Sequence, residues 1–414
     1  MTTQQFEPAT HSHRAADLEL KITQTGDQLL ATLSGVLDAL HTASGPQALA
    51  TKLGVDKVLS SRVLKAIQNR DPMAAMHRVP GPEPLRRLLR ASAKQGVSQD
   101  LIARANAAVD RFEALIRDDI GDRSALEAIL SSWIPEARRE FETRRKQAAF
   151  RALSQLKGVQ AGVNVGTVFL APATPDDKID VVWVNGLLGL QRLRPGAVIR
   201  FASRRFARDD SRRLSNDLSG RPVEDLEHLQ LAEFCSDPLP AIDVHRAGQT
   251  IHYTLADHGF GPRSESDIIF AEANLSELPR YVEPAVAGTR RAYVFAEVFT
   301  PSKVLQFDVL VHRDLYPDQH PELLIYDAAI EGIADVNDPA RDLDRMDMME
   351  SIEPLGRGVA ACRSADVPRY PDMLRHVCDR LTWDPNEFRV YRCRIDYPLY
   401  GSQVVMTFRT VARP

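Results

Sequence analysis

The chain has 414 residues, a formal net charge of −4, and 44% hydrophobic and 26% charged side chains. That balance describes a folded, soluble globular protein and excludes a disordered or collagen-like chain. A bilayer-spanning helix is excluded too, since no stretch reaches the roughly eighteen consecutive apolar residues it needs.

The length predicts two or three domains, because a single core rarely grows so large. Four widely spaced cysteines, Cys235, Cys362, Cys378 and Cys393, form no CxxC pair. They point to buried thiols in a reducing cytoplasm, not to a disulfide framework or a zinc site. The first residues lack the apolar core of a secretory signal, which fits the same compartment. Residues 27–158 hold 21 basic against 15 acidic side chains, or +6. Residues 159–414 hold 29 against 38, or −9, and the first 26 residues carry −1. A basic front and an acidic rear are the asymmetry expected when one part of a chain meets a polyanion.

Residues 1–26 are polar and aperiodic and read as a mobile tail. From Gly26-Asp27 onward, Leu29, Leu30, Leu33, Val36, Leu37 and Leu40 recur at helical spacing, and the helix should stop near Ser44-Gly45-Pro46. Residues 46–68, PQALATKLGVDKVLSSRVLKAIQ, then read as a helix, a tight turn at Gly54 and a second helix capped by Asp56. On the second helix, Leu59, Val63, Ala66 and Ile67 face Leu49, Ala50 and Leu53 of the first. Lys57, Ser61, Lys65 and Gln68 share the opposite side, with Arg62 and Asn69 at its edge. Such donors suit phosphates and base edges.

These residues resemble the winged helix-turn-helix transcriptional regulators over about residues 27–90, with GVDKVLSSRVLKAI in the place of their recognition helix. The resemblance implies double-stranded DNA as a partner, read by Lys57, Ser61, Arg62, Lys65 and Gln68, and a homodimer spanning two half-sites. Ser60 stands where such helices carry an aliphatic residue, and Val58 points an apolar group toward the polar side. Of the wing there is one strand-like run, Met73 to Val79, before Pro80-Gly81-Pro82-Glu83-Pro84 forbids a regular return strand.

Further helices are predicted at Leu85–Ala93 and Val97–Ile120, and one behind a capping box of Ser124 and Glu127. A basic helix over Pro135–Lys157 follows, closed by Gly158, and serves as a connector or dimer helix or as a second polyanion contact. From Val159 the pattern changes to strands: GVNVGTVFLAPA, KIDVVWVNG, GAVIRFAS, Thr250–Leu255, Ser266–Ala271, Arg291–Phe299, Lys303–Val311 and Glu322–Asp327. Glu387–Tyr397 and Ser402–Val411 complete the set as a terminal hairpin. Helices are expected at Val223–Phe234, around Ala340–Ser351 and at Pro371–Leu381. The fold class is therefore α+β: a tail (1–26), an all-helical helix-turn-helix-like domain (27–122), a helical connector (123–158) and a mainly antiparallel, β-rich domain (159–414).

The rear domain lacks the dinucleotide, phosphate-loop, nucleophile-elbow and HExxH motifs, so no cofactor, metal or catalytic residue is assigned. Asn185-Gly186-Leu187-Leu188-Gly189 imitates a phosphate turn with too few glycines, and His258-Gly259-Phe260-Gly261 reads as a glycine-rich turn. His245, His252 and His258 do not share a helix face. Asp335, Asp338, Asp342, Asp344 and Asp347 lack the glycine and terminal glutamate of a calcium loop. Arg192, Arg194, Arg200, Arg204, Arg205, Arg208, Arg212 and Arg213 crowd one segment that either pairs with the domain's own acids or binds phosphate or acidic groups, those of an anionic small-molecule effector or of DNA. The reading that follows is a cytoplasmic DNA-binding regulator with a ligand-sensing or assembly domain. Its rivals are an interaction protein reusing a helix-turn-helix fold and an enzyme with an unrecognised rear site.

Overall fold

The computed structural model describes residues 9–40, 45–69, 71–174, 177–205, 215–223, 226–247, 250–256 and 259–413. The chain forms two compact units, divided after Glu142. It is α+β, helical at the front and β-rich behind. Among the described residues no helix is long and apolar enough to cross a membrane.

The first unit holds α1 (Ala9–Ala39), α2 (Pro46–Leu53), α3 (Lys57–Ile67), α4 (Pro72–Arg78), α5 (Pro82–Lys94) and α6 (Gln99–Ala114). A π-turn (Leu115–Ile120), α7 (Arg123–Trp133) and the start of α8 (Pro135–Lys157) follow. Its core joins Leu29, Leu33 and Val36 of α1 to Val63 of α3, Leu88 of α5 and Phe112 of α6, all fully buried. The expected tail is helical from Ala9, and residues 1–8 lie outside the described set. Gly26 is consequently a mid-helix residue, and its role is steric. A Cβ there would stand 2.9 Å from Met76 Cγ and 3.0 Å from the Pro72 carbonyl oxygen, so its bare backbone lets α4 lie against α1.

Local chemistry explains the other helices. Pro46 starts α2, and Gly54 ends it in the left-handed region at φ 63°, with its N–H donating to the Ala50 carbonyl. The Asp56 carboxylate accepts from the backbone N–H groups of Val58 and Leu59 at the head of α3. The strand expected at Met73–Val79 is instead α4. Asp71 caps it through the N–H groups of Met73 and Ala74, Pro72 sits in its first turn, and Ala75, Met76 and Val79 are buried at helical spacing. The proline cluster beyond it opens α5, so no wing strand forms in this segment. At α7 the cap is Asp122, whose carboxylate accepts from Ala125 N–H at 2.7 Å, not the expected Ser124 box.

The second unit begins within α8, where Phe150 packs on Tyr397 with ring centroids 5.5 Å apart. Its strands are β1 (Val159–Pro172), β2 (Lys178–Arg192), β3 (Arg200–Arg205), β4 (Ser215–Asn216), β5 (Pro222–Val223), β6 (Ile242–Ala247), β7 (Thr250–Leu255) and β8 (Ser266–Pro279). After them come β9 (Arg291–Glu297), β10 (Ser302–His312), β11 (Glu322–Asp327), β12 (Glu353–Arg357), β13 (Phe388–Asp396) and β14 (Ser402–Arg409), with α9 at Tyr370–Leu381. The large sheet runs β12-β13-β10-β1-β2-β8-β4-β5, and two three-stranded sheets run β11-β14-β9 and β3-β7-β6. Pairing is antiparallel except β1 with β10, which are parallel.

Strand alternation divides the large sheet into two faces. On one, Val163, Val165 and Phe169 of β1 and Val182 and Val184 of β2 pack under Tyr370, Leu374 and Val377 of α9. On the other, Val168, Phe307 and Cys393 meet Val294, Val404 and Met406 of the β11-β14-β9 sheet, as in a sandwich. The expected terminal hairpin is therefore absent. β13 pairs with β10 and β12 while β14 lies between β11 and β9, and Pro398-Leu399-Tyr400-Gly401 carries the chain from one sheet to the other. Two further helix expectations shrink to 3-10 turns, at Leu226–Leu229 with Ala232–Phe234 and at Pro339–Asp344. In the latter the buried Arg341 donates to the carbonyls of Gly332 and Ile333 and to Asp344, and Met346 N–H joins Ile325, which ends the helix early.

Candidate functional site

Two places concentrate chemistry, one in each unit. On α3, the expected DNA-reading residues emerge along one side. Lys57, Arg62, Lys65 and Gln68 are exposed and Ser61 is half-buried. Arg62 is drawn away from that surface, since its guanidinium donates to the carbonyls of Arg78 and Val79 at 3.3 Å each and so closes the end of α4. Ser60 is fully buried and solves its own polarity by donating to the Asp56 carbonyl at 3.3 Å, one turn back. Val58 is 66% exposed.

The second place lies in the β-rich unit, between the large sheet and β9, the edge strand of the small sheet. Here the sandwich opens into a cavity of about 290 Å³. Asn164 on β1, Trp183 and Asn185 on β2, and Phe270, Glu272 and Asn274 on β8 line one wall. Residues two apart on each strand point to the same face, and the pairing register sets Trp183 opposite Glu272 and Asn185 opposite Phe270. Phe295 and Glu297 of β9 form the facing wall. The Asn164 side-chain amide fixes that wall by donating to the Glu297 backbone carbonyl at 3.1 Å. Gly166 permits the approach, since a Cβ there would stand 3.2 Å from the Ala296 Cβ.

Aromatic rings give the cavity its apolar body. Trp183 and Phe295 have centroids 6.0 Å apart and planes tilted by 59°, and Phe201 and Phe270 are 6.3 Å apart. A second cavity of about 550 Å³ adjoins the first and shares Phe201, Ala202, Glu297 and Phe299 with it. Arg200, His252 and Glu331 line this outer part. Glu297 thus stands where the two meet. Burial pushes its carboxyl up to about 7, and among the described residues no cation draws it back. A group so placed exchanges its proton near neutral pH, and as a carboxylate it offers an uncompensated charge to whatever enters.

None of the residues singled out as DNA-reading belongs to this cleft. The Asn185-Gly186-Leu187-Leu188-Gly189 run, which imitates a phosphate turn with too few glycines, is the middle of β2, with Asn185 on the cleft wall. Gly186 is needed there because a Cβ would come within 2.3 Å of the Ile268 carbonyl oxygen. The arginine-rich segment is divided. Arg192 is buried and donates to the carbonyls of Ala197, Leu255 and Ala256, Arg194 donates to Leu156, and Arg200 reaches the outer cavity. Arg208, Arg212 and Arg213 and the side chains of Arg204 and Arg205 lie outside the described residues, as does His258. His245 and His252 are cross-strand partners on β6 and β7, and His245 Nε2 meets Thr254 Oγ1 at 3.1 Å. Among the described residues no group of acids, histidines and cysteines is arranged to hold a metal ion. All four thiols are free, and burial pushes those of Cys378 and Cys393 up to about 12, far from thiolate reactivity.

The sequence signal for the cleft was Trp183, Asn185, Glu272 and Glu297 recurring at polar positions of otherwise apolar strands. No spacing rule tells that β2, β8 and β9 converge.

No family model matches the chain, and no curated protein matches it either. Among solved structures, it is similar to a crystal structure of a Parabacteroides distasonis protein provisionally named a protease, at 8% identity and a TM-score of 0.25. That likeness covers 60% of this chain and 40% of the other, so the chain spans less than half the length of that protein.

Proposed function

We propose that the β-rich unit is a small-molecule-binding domain and that the chain is a ligand-responsive regulator. The observation that carries this reading is Glu297, a carboxyl at the junction of two aromatic-walled cavities with no cation paired to it among the described residues. Leaving such a group unpaired costs stability, and a ligand supplying the missing partner recovers it. A thermal-shift screen of small metabolites tests the reading. Compounds that use the cleft raise the melting temperature of the wild type and lose that effect in Glu297→Gln or Trp183→Ala. A screen whose every hit behaves identically in the wild type and both variants sinks it.

For the helical unit, the α3 surface favours a polyanion contact. Lys57 and Lys65 are exposed without an ion pair and share a side with Ser61 and Gln68. Double-stranded DNA is the partner that suits this set, and a dimer in the cytoplasm belongs to the same reading. Fluorescence anisotropy with duplex DNA over a salt series distinguishes it from its rival. Affinity that drops steeply with salt and falls again in the Lys57→Ala/Lys65→Ala variant supports DNA contact. Salt-indifferent association with a protein partner supports the interaction reading, which the exposed Val58 favours.

A further inference from the structure

Among the described residues the charge lining the inner cavity is one-sided. There is no lysine, arginine or histidine among them, and of the two carboxylates Glu272 already has a partner, which leaves Glu297 to meet a ligand. Trp183, Phe201, Phe270, Phe295 and Phe299 supply ring surface around them, and the amides of Asn164, Asn185 and Asn274 supply neutral hydrogen-bonding groups. An anion entering here would meet like charge in a low-dielectric wall. A neutral molecule would leave Glu297 without a counter-ion. A cation finds both the carboxylate and the negative faces of the rings.

We propose that the ligand of this cleft is an organic cation, a protonated amine or quaternary ammonium carried on an apolar body. This rests on the reading of the cleft as a binding site and names the chemistry it selects. Its apolar part lies against Trp183 and Phe295, and its charged head meets the Glu297 carboxylate. Of the arginines that pointed to an anionic effector, Arg192 and Arg194 are committed to backbone carbonyls and Arg200 lines the outer cavity.

The test is isothermal titration of the full chain at about pH 8 with benzylamine, benzyl alcohol and benzoate, which share a ring and differ in charge. Benzylamine is expected to bind at least about tenfold more tightly than benzyl alcohol, with benzoate weakest. In Glu297→Gln the amine loses that advantage while benzyl alcohol stays within about twofold. The ranking in the wild type stands by itself should the variant fold poorly. Equal binding of amine and alcohol, or tightest binding of benzoate, overturns the cationic ligand and leaves the cleft as a binding site. Saturable binding of none of the three at tens of millimolar overturns the cleft reading and the cationic ligand with it.

Discussion

Glu297 gives up most of its hydration and gains no cation among the described residues, so its carboxyl holds a proton to about pH 7 in the folded chain, against an ordinary value of 4.5. Below pH 4.5 both states are protonated and the group contributes nothing. Between there and 7 the unfolded chain has lost the proton that the folded chain keeps, so stability falls as pH rises, by about 3 kcal/mol at most. Glu297→Gln is therefore expected to be more stable than wild type at pH 8 and equal to it near pH 4, as read by urea denaturation. Equal differences at both pH values would disprove the assignment. Glu272, Glu331, Arg200 and His252 line the same cavities, so the comparison is variant against wild type. A buried pair under α9 differs in having a cation: burial pushes the Asp308 carboxyl up as well, and Arg392 draws it part of the way back. Asp308 is fully buried and takes two hydrogen bonds from Arg392, at 2.8 and 2.7 Å, while Tyr370 and Thr167 hydroxyls meet at 2.7 Å beside them. Arg392→Met strands that carboxylate and should cost about 3–5 kcal/mol in the same measurement.

At the level of elements, Gly26 sets intrinsic preference against packing. Alanine in mid-helix gains about 1 kcal/mol over glycine, while forcing a Cβ between Met76 and the Pro72 carbonyl costs about 1–3 kcal/mol. Packing wins, and Gly26→Ala should lower the denaturation midpoint of the helical unit. A stabilised variant would mean that α4 yields freely. The same contest explains what could be read in advance. Helices α2, α3 and α8 carry strong local signals, Pro46, Gly54 and Asp56 among them, and the sequence places them within a residue or two. β1, β2, β10 and β11 declare themselves by branched residues between glycine or proline breaks. The Met73–Val79 segment misleads because a seven-residue run fits both periods, and the cap at Asp71 decides between them. β14 misleads because a five-residue link resembles a hairpin loop, whereas sheet assignment depends on partners far away in the chain, such as Glu322 opposite Thr407. The cleft was illegible for the same reason: its walls come from five strands whose meeting is a property of topology.

Over the whole molecule, charge is parcelled by position, +6 across residues 27–158 and −9 across 159–414. If α3 meets DNA, each lysine displaces about one counter-ion, so the Lys57→Ala/Lys65→Ala variant should flatten the logarithmic salt dependence by about 2. An unchanged slope would place the contact elsewhere. Order of assembly is constrained as well. β1 lies at the heart of the large sheet between β2 and β10, yet β1 ends at Pro172 and its parallel neighbour begins at Ser302. A nascent chain on the ribosome can zip β1 to β2 at once, but it must keep the other edge of β1 open until β10 emerges. Closing that loop costs about 4 kcal/mol of chain entropy before the pair returns any of it. Refolding of this unit should be slow and prone to intermolecular pairing, and a chaperone that shields one strand edge would speed its yield more than one that merely confines the chain.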